Sequence, residues 1–231
     1  MARGKLFIIE AGDGSGKETQ TRLLAQHLIR EGHRVRAVAF PDYEADASMP
    51  VRMYLRGDFG MQADEVNPYA ASTFFAVDRY ASYRMKWGQD YEAGTIILAD
   101  RYTTSNMVHQ AVKIRDAAER DAFLDWLDDF EFNKLGLPVP DAVFFLDMEP
   151  CAAERLLTAR AQAKGEAPDI HERDADYLRR THDAYVLLTA RCGWVRIPSS
   201  ADGVPLPIEE IHERLYAEVG KFLTTGRESH A

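Results

Sequence analysis

The sequence predicts an α/β fold of three layers, a five-stranded parallel sheet flanked by helices, and three observations carry that prediction. Short apolar runs alternate with stretches of helical periodicity along the 231 residues. The first run passes through a glycine-rich loop directly into a helix, as at the start of a βαβ unit. A later run, Thr95-Ile96-Ile97-Leu98-Ala99, is apolar throughout, as a strand buried on both faces must be. A chain of this length can bury one full core, so residues 1–231 are read as a single domain.

Taken in order, Lys5 to Glu10 is an apolar, β-branched strand, Ala11 to Lys17 a flexible turn, and Glu18 onward a helix start. Gly12, Gly14 and Gly16 let the backbone curl so that successive N–H groups point at an anion. The helix N-terminus adds partial positive charge, and Lys17 a mobile full charge. The loop resembles the phosphate-binding pattern G-x-x-x-x-G-K-[ST], with Ala11 in place of the first glycine and Glu18 in place of the hydroxyl residue. The same glycines could simply turn a strand into a helix, but that leaves Lys17 without a purpose.

Leu23, Leu24, Leu28 and Ile29 recur at helical spacing, and Glu31-Gly32-His33 ends that helix before a second strand over 35–40. Its end, Phe40-Pro41, belongs with the glycine loop at the carboxyl ends of the strands, where open α/β sheets gather ligands. Residues 42–66, broken by Pro50 and Gly57, predict a loop with a short helix near 51–56. Pro68 to Gln89 reads as a long helix with Asp78-Arg79 at its middle, and Arg79 is there either a solvated helix charge or a ligand contact.

The central strand ends in Asp100-Arg101-Tyr102, which puts charge at the cleft. Thr103 to Asn106 opens another helix, with Ser105 and Asn106 as candidate caps. An amphipathic helix over 116–133, a proline-rich turn and a strand over 142–147 follow. Pro150 starts a helix to about Ala163, and the polar segment 164–169 interrupts it as a candidate lid. Helical spacing resumes over 171–191 with Leu178, Tyr185 and Leu188 facing the core, then a strand over 194–198, a helix over 208–222 and a polar tail.

The formal net charge of −9 argues against wrapping nucleic acid, which needs clustered cations. Cys151 and Cys192 lack any partner motif and are expected to be small buried hydrophobes in a reducing cytosol. With no targeting signal and no apolar run long enough to span a bilayer, the protein is expected to be cytoplasmic, without a membrane partner.

Five motifs in order resemble those of the bacterial thymidylate kinases: Ile9-Glu10 with Asp13-Gly14-Ser15-Gly16-Lys17; Phe40-Pro41 with Tyr43; Phe75-Ala76-Val77-Asp78-Arg79; Asp100-Arg101-Tyr102 with Ser105-Asn106; and Asp169 with Glu172-Arg173. The resemblance implies the P-loop NTPase fold, ATP as phosphoryl donor, dTMP as acceptor, Mg²⁺ and a homodimer. It places ATP on Gly12, Asp13, Gly14, Ser15, Gly16, Lys17, Glu18 and Thr19, and a lid around 155–172. The implied acceptor set is Asp13, Phe40, Tyr43, Phe75, Arg79, Arg101, Ser105, Asn106, His109 and His171. Phe75 would stack on thymine with Phe40 closing the pocket. Arg79 and Arg101 would take the acceptor phosphate, and Arg79 and Asn106 the base edges.

Metal duty falls to Asp13, Asp100 or Glu172, because Glu18 stands where a P-loop hydroxyl would hold the ion. Glu18 itself serves the metal or is a plain N-terminal helix charge. Gly14 stands where some relatives carry a loop arginine, so the transition-state cation is expected from the lid, with Arg160 first and Arg155 and Lys164 next. Lys17, Asp13, Arg101 and Arg160 form the implied catalytic set. The alternatives are a kinase for another pyrimidine nucleotide or nucleoside, and a nucleotide-binding module with a degenerate loop.

Overall fold

The computed structural model describes residues 3–60, 65–164 and 175–224, with backbone alone at 160–164 and 175–177. In chain order the elements are β1 (Leu6–Glu10), α1 (Lys17–Arg30), β2 (Val35–Ala39), α2 (Met49–Arg56), α3 (Pro68–Ser82), α4 (Gly88–Glu92), β3 (Ile96–Asp100), α5 (Thr103–His109) and α6 (Ala117–Asp128). They continue with β4 (Ala142–Asp147), α7 (Pro150–Lys164), α8 (Ala175–Cys192), β5 (Val195–Pro198), β6 (Ser200–Ala201), β7 (Val204–Pro205) and α9 (Ile208–Thr224). Five strands form one parallel sheet in the order β2-β3-β1-β4-β5, with helices on the connections. The three-layer α/β expectation therefore holds. Burial follows strand position: β1 and β4 are buried at every residue, whereas β2, at the sheet edge, is half-exposed.

Two compact units divide the chain, Met1–Leu6 with Arg34–Pro140 and Phe7–His33 with Asp141–Ala231. In the first, β2 and β3 pair in parallel from Val35↔Ile96 to Ala39↔Asp100. Pro68 begins α3 behind Asn67, whose side chain accepts from the Ala70 amide, so the helix has a cap and a fixed first φ. The long helix expected over Pro68 to Gln89 is present as α3 continued through a π-helical turn, Tyr83–Trp87, into α4, which ends at Glu92, with Trp87 and Tyr91 buried. A second π turn, Asp129–Lys134, extends α6, whose start is capped by Asp116.

In the second unit β1, β4 and β5 pair in parallel, and Phe7 and Phe144 meet edge to face at 5.8 Å. Leu178, Tyr185 and Leu188 of α8 are buried as expected, and the Tyr185 ring stacks on Phe145 at 4.9 Å. The antiparallel pair β6–β7 was not expected. Its turn is Asp202-Gly203, both at positive φ, a dipeptide whose hairpin chemistry was readable but whose flanks are only two residues long. Both cysteines are exposed, contrary to the buried-hydrophobe expectation: Cys151 lies in the first turn of α7 and Cys192 in the last turn of α8, where little packs over a side chain.

Candidate active site

The glycine loop belongs wholly to the second unit. Ala11 is fully buried and is not among the residues at positive φ, so the substitution costs the loop no conformation that only glycine could adopt. Gly14 and Gly16, in contrast, sit at φ 76° and 75°. Gly16 is the left-handed N-cap of α1 and makes no side-chain cap hydrogen bond, and a helix N-terminus of this kind favours an anion. Any side chain at Gly14 would place its Cβ 2.6 Å from Leu157 Cγ and 3.0 Å from the Ala153 carbonyl of α7. A loop arginine therefore has no room here.

Lys17 and Glu18 are the first two residues of α1, Lys17 half-buried, Glu18 exposed and Thr19 half-buried. Helix α1 holds its first turn through the Thr21 hydroxyl, which donates to the Lys17 carbonyl at 2.9 Å. Gly12, Asp13 and the buried Ser15 border a recess against Phe145, His182 and Tyr185. Glu10, the last residue of β1, is fully buried and accepts from the Tyr185 hydroxyl at 2.9 Å. Beside it, Asp147 at the end of β4 meets His182 Nε2 at 2.7 Å and is paired with Arg196. Burial pushes the Asp147 carboxyl upward, but the His182 and Arg196 hydrogen bonds outweigh it and hold it below the usual range.

The expected acceptor residues from Phe40 to His109 belong to the first unit, at the carboxyl ends of β2 and β3 and on α3 and α5. The Phe40 amide donates to the Asp100 carbonyl, extending the ladder by one rung. The Phe40 side chain is buried, its ring 5.9 Å from Tyr102, and the Phe40–Pro41 bond is cis. Tyr43 beyond it is exposed. Asp42 is held by its amide on Asp78 Oδ2 at 3.0 Å and by an ion pair with Lys86. Burial pushes the Asp78 carboxyl up against the pull of that amide.

Arg101 follows β3 at φ 68°, an uncommon conformation for a side chain-bearing residue. Its Nη1 lies 3.4 Å from Ser105 Oγ and donates to His109 Nε2 at 3.1 Å. Neither Ser105 nor Asn106 caps α5: the helix begins at Thr103, and the buried Asn106 Nδ2 donates to the Ser72 carbonyl of α3 at 3.3 Å. Phe75 is half-buried and meets Tyr54 edge to face at 6.1 Å; Phe74 packs on Phe59 at 5.2 Å.

The solvated-charge alternative for Arg79 is overturned. Its side chain is 2% exposed and grips the fully buried Glu131 with two bonds, Nε to Oε2 at 2.7 Å and Nη2 to Oε1 at 2.5 Å. The Thr103 hydroxyl donates to the same Oε2 at 2.7 Å. Burial, reinforced by the Glu131 charge, pushes the Tyr102 phenol well above its ordinary value. Glu131 and Ser72 went unnoticed in the sequence, and Thr103 was read only as the start of a helix. Only Glu131 left a signal, an acidic residue between Phe130 and Phe132 in an amphipathic stretch.

His171, Glu172 and Asp169 lie outside the described residues, and Arg160 is described only by its backbone in α7. Among the described residues no group of three or more His, Cys, Asp or Glu could hold a metal. Magnesium keeps several waters and takes one or two carboxylates plus substrate phosphates, so it requires no such group. Half-exposed Asp13 and Asp100 provide carboxylates of that kind. No helix among the described residues is long and apolar enough to cross a membrane.

A family model described as thymidylate kinase matches residues 9–214. The chain is 34% identical over 193 residues to the thymidylate kinase of Mycobacterium tuberculosis strain H37Rv, covering 82% of this chain and 87% of that one. It is 33% identical over 179 residues to the thymidylate kinase of Clavibacter sepedonicus, covering 74% and 77%. Against the human thymidylate kinase it is 26% identical over 147 residues, covering 64% and 62%.

Proposed function

The chain belongs to the thymidylate kinase family, and from that membership we propose how its own residues divide the work. The protein is a phosphotransferase that moves the γ-phosphoryl group of ATP onto dTMP to give dTDP. Such a transfer has a loose, metaphosphate-like transition state, so the protein positions the reactants and stabilises charge rather than forming bonds.

The loop Gly12–Lys17 takes the ATP phosphates: its amides and the α1 N-terminus face the inner oxygens, and Lys17 meets the outer ones. One observation carries this reading, the placement of Gly14 and Gly16 in the left-handed region immediately before Lys17 opens α1. It also disfavours a degenerate nucleotide-binding module, because Ala11 leaves the loop conformation untouched. On the acceptor side Arg101, with Ser105 and His109 against its guanidinium, takes the dTMP phosphate, and Phe75 the face of the base. Arg79 and Asn106 read the base edge, and Phe40 and Tyr43 close the pocket. Asp13 or Asp100 would hold Mg²⁺, which would supply charge neutralisation for the phosphoryl transfer. The lid cation from the segment after Ala159 completes the site, Arg160 being our choice. We place this single domain in the cytoplasm as a homodimer, supported by exposed apolar residues Val77 and Tyr80 of α3 and Met85 after it.

A coupled assay with ATP, Mg²⁺ and dTMP, dUMP, dCMP or thymidine tests the assignment. ADP formation is expected with dTMP, and silence with every acceptor would overturn it. Lys17→Ala is expected to lower kcat by about 10²–10³-fold while dTMP binding persists. Equal loss of dTMP binding would contradict separate donor and acceptor sites.

A further inference from the structure

We propose that Glu131 is the positioning residue that sets which pyrimidine the acceptor site takes, by holding the Arg79 guanidinium in one fixed orientation. The proposal rests on the reading of Arg79 as a contact of the acceptor base. Its two charged partners are 2% and 0% exposed, so this is a buried pair in which geometry, not solvent, decides where the guanidinium points.

Glu131 engages Nε and Nη2 side by side, the fork arrangement that fixes the plane as well as the position of an arginine. The Thr103 hydroxyl, one residue into α5, supports Oε2 at 2.7 Å and so fixes the carboxylate itself. Glu131 in turn sits on the π turn after α6, whose end is tied down by the Leu135 amide on the Phe130 carbonyl and the Leu137 amide on the Glu131 carbonyl. With Nε and Nη2 committed to Glu131, Nη1 has no partner among the described residues, and it is not among their buried orphaned atoms.

A second observation points to a ligand on the same face. Ser72, Phe75 and Arg79 recur at helical spacing along α3, and Ser72 Oγ is a fully buried hydroxyl without a partner among the described residues. A half-buried aromatic ring, flanked along one helix face by a buried arginine and a buried hydroxyl that lacks a partner among the described residues, suits a flat, polar-edged ring. A guanidinium can only donate. Held still, it satisfies the 4-carbonyl of thymine or uracil and opposes the 4-amino group of cytosine. Free to swing, it could turn aside and let the amino group hydrogen-bond elsewhere.

The test is steady-state kinetics of Glu131→Gln with dTMP and dCMP. The glutamine amide presents a donor to one guanidinium N–H and releases the fork. We expect KM for dTMP to rise about 10–100-fold with kcat and KM for ATP changed less than about 3-fold, and the dTMP-over-dCMP ratio of kcat/KM to fall about tenfold or more. A folded Glu131→Gln with unchanged KM and unchanged ratio would overturn the proposal. If that variant fails to fold, Thr103→Val is read instead: it removes only the supporting hydroxyl. A KM for dTMP raised about 3–10-fold at constant kcat is then expected, and no change overturns. The double variant Arg79→Met with Glu131→Leu replaces the pair by apolar groups of similar length and tests the underlying reading. If it folds and still binds dTMP normally, Arg79 is not an acceptor contact; if it loses dTMP while Glu131→Gln does not, only the role of Glu131 falls.

Discussion

At the scale of single residues, the glycine loop separates positions where glycine is required from those where it is merely present. Gly14 combines a left-handed backbone with Leu157 and the Ala153 carbonyl where a side chain would begin. Gly12 lacks a left-handed φ, and among the described residues a Cβ there would meet only Ser15 Oγ at 3.8 Å. Gly14→Ala is therefore expected to lower stability in urea unfolding by about 2–3 kcal/mol, and Gly12→Ala by less than about 1 kcal/mol. Equal losses would contradict this account of the loop. Lys17 and the glycines were legible because they lie within one short stretch, Gly12 to Lys17, and the chemistry of a phosphate cradle dictates their spacing. Glu131 was not, because its meaning depends on a partner 52 positions earlier in the chain, and no local rule links the two.

At the scale of elements, sequence periodicity located all five strands of the parallel sheet and nearly every helix, because apolar spacing directly reflects which face is buried. It failed at helix ends and at the π turns, where one inserted residue shifts the phase without changing composition. It also said nothing of how α1 meets α9. There His27 stacks on Tyr216 at 3.9 Å, and its Nδ1 lies 2.9 Å from His212 Nε2. His212 Nδ1 is buried without a partner among the described residues. Burial, followed by repulsion from His27 and Arg30 and partly opposed by Glu213, pushes the His212 imidazole below its ordinary value. Glu31 adds a neighbouring carboxylate on the α1 side, hydrogen-bonded by the Tyr216 hydroxyl. A histidine with a depressed folded pKa contributes its stability above the unfolded value, about 6.5, and loses it as pH falls through the folded one. Thermal unfolding is expected to give a Tm lower by about one to a few degrees at pH 5.5 than at 7.5, with His212→Phe removing part of that slope. A slope identical in both proteins would exclude His212 as its source.

At the scale of the whole molecule, the proposed homodimer would sediment at twice the 26.1 kDa of one chain and is expected to use the exposed Val77 and Tyr80 of α3. Sedimentation of Val77→Glu with Tyr80→Glu should show the single-chain mass, and an unchanged mass would remove α3 from the interface. Fold class was legible because alternation of strands and helices is a property of the entire chain. The division into two interleaved units was not: of its break points at 6, 33 and 140 only the last falls in a proline-rich stretch, and that stretch reads equally as a turn between two elements. The bond from Tyr185 to Glu10 joins residues 175 positions apart. The strand that launches the phosphate loop leaves the ribosome well ahead of α8, yet its last side chain waits for that helix. At translation rates of about 5–20 residues per second that delay is roughly 10–35 s. Throughout it, the carboxylate that ends β1 is without the Tyr185 hydroxyl, so the nascent chain cannot settle the strand end that leads into the phosphate loop as it is in the finished fold until α8 has been synthesised.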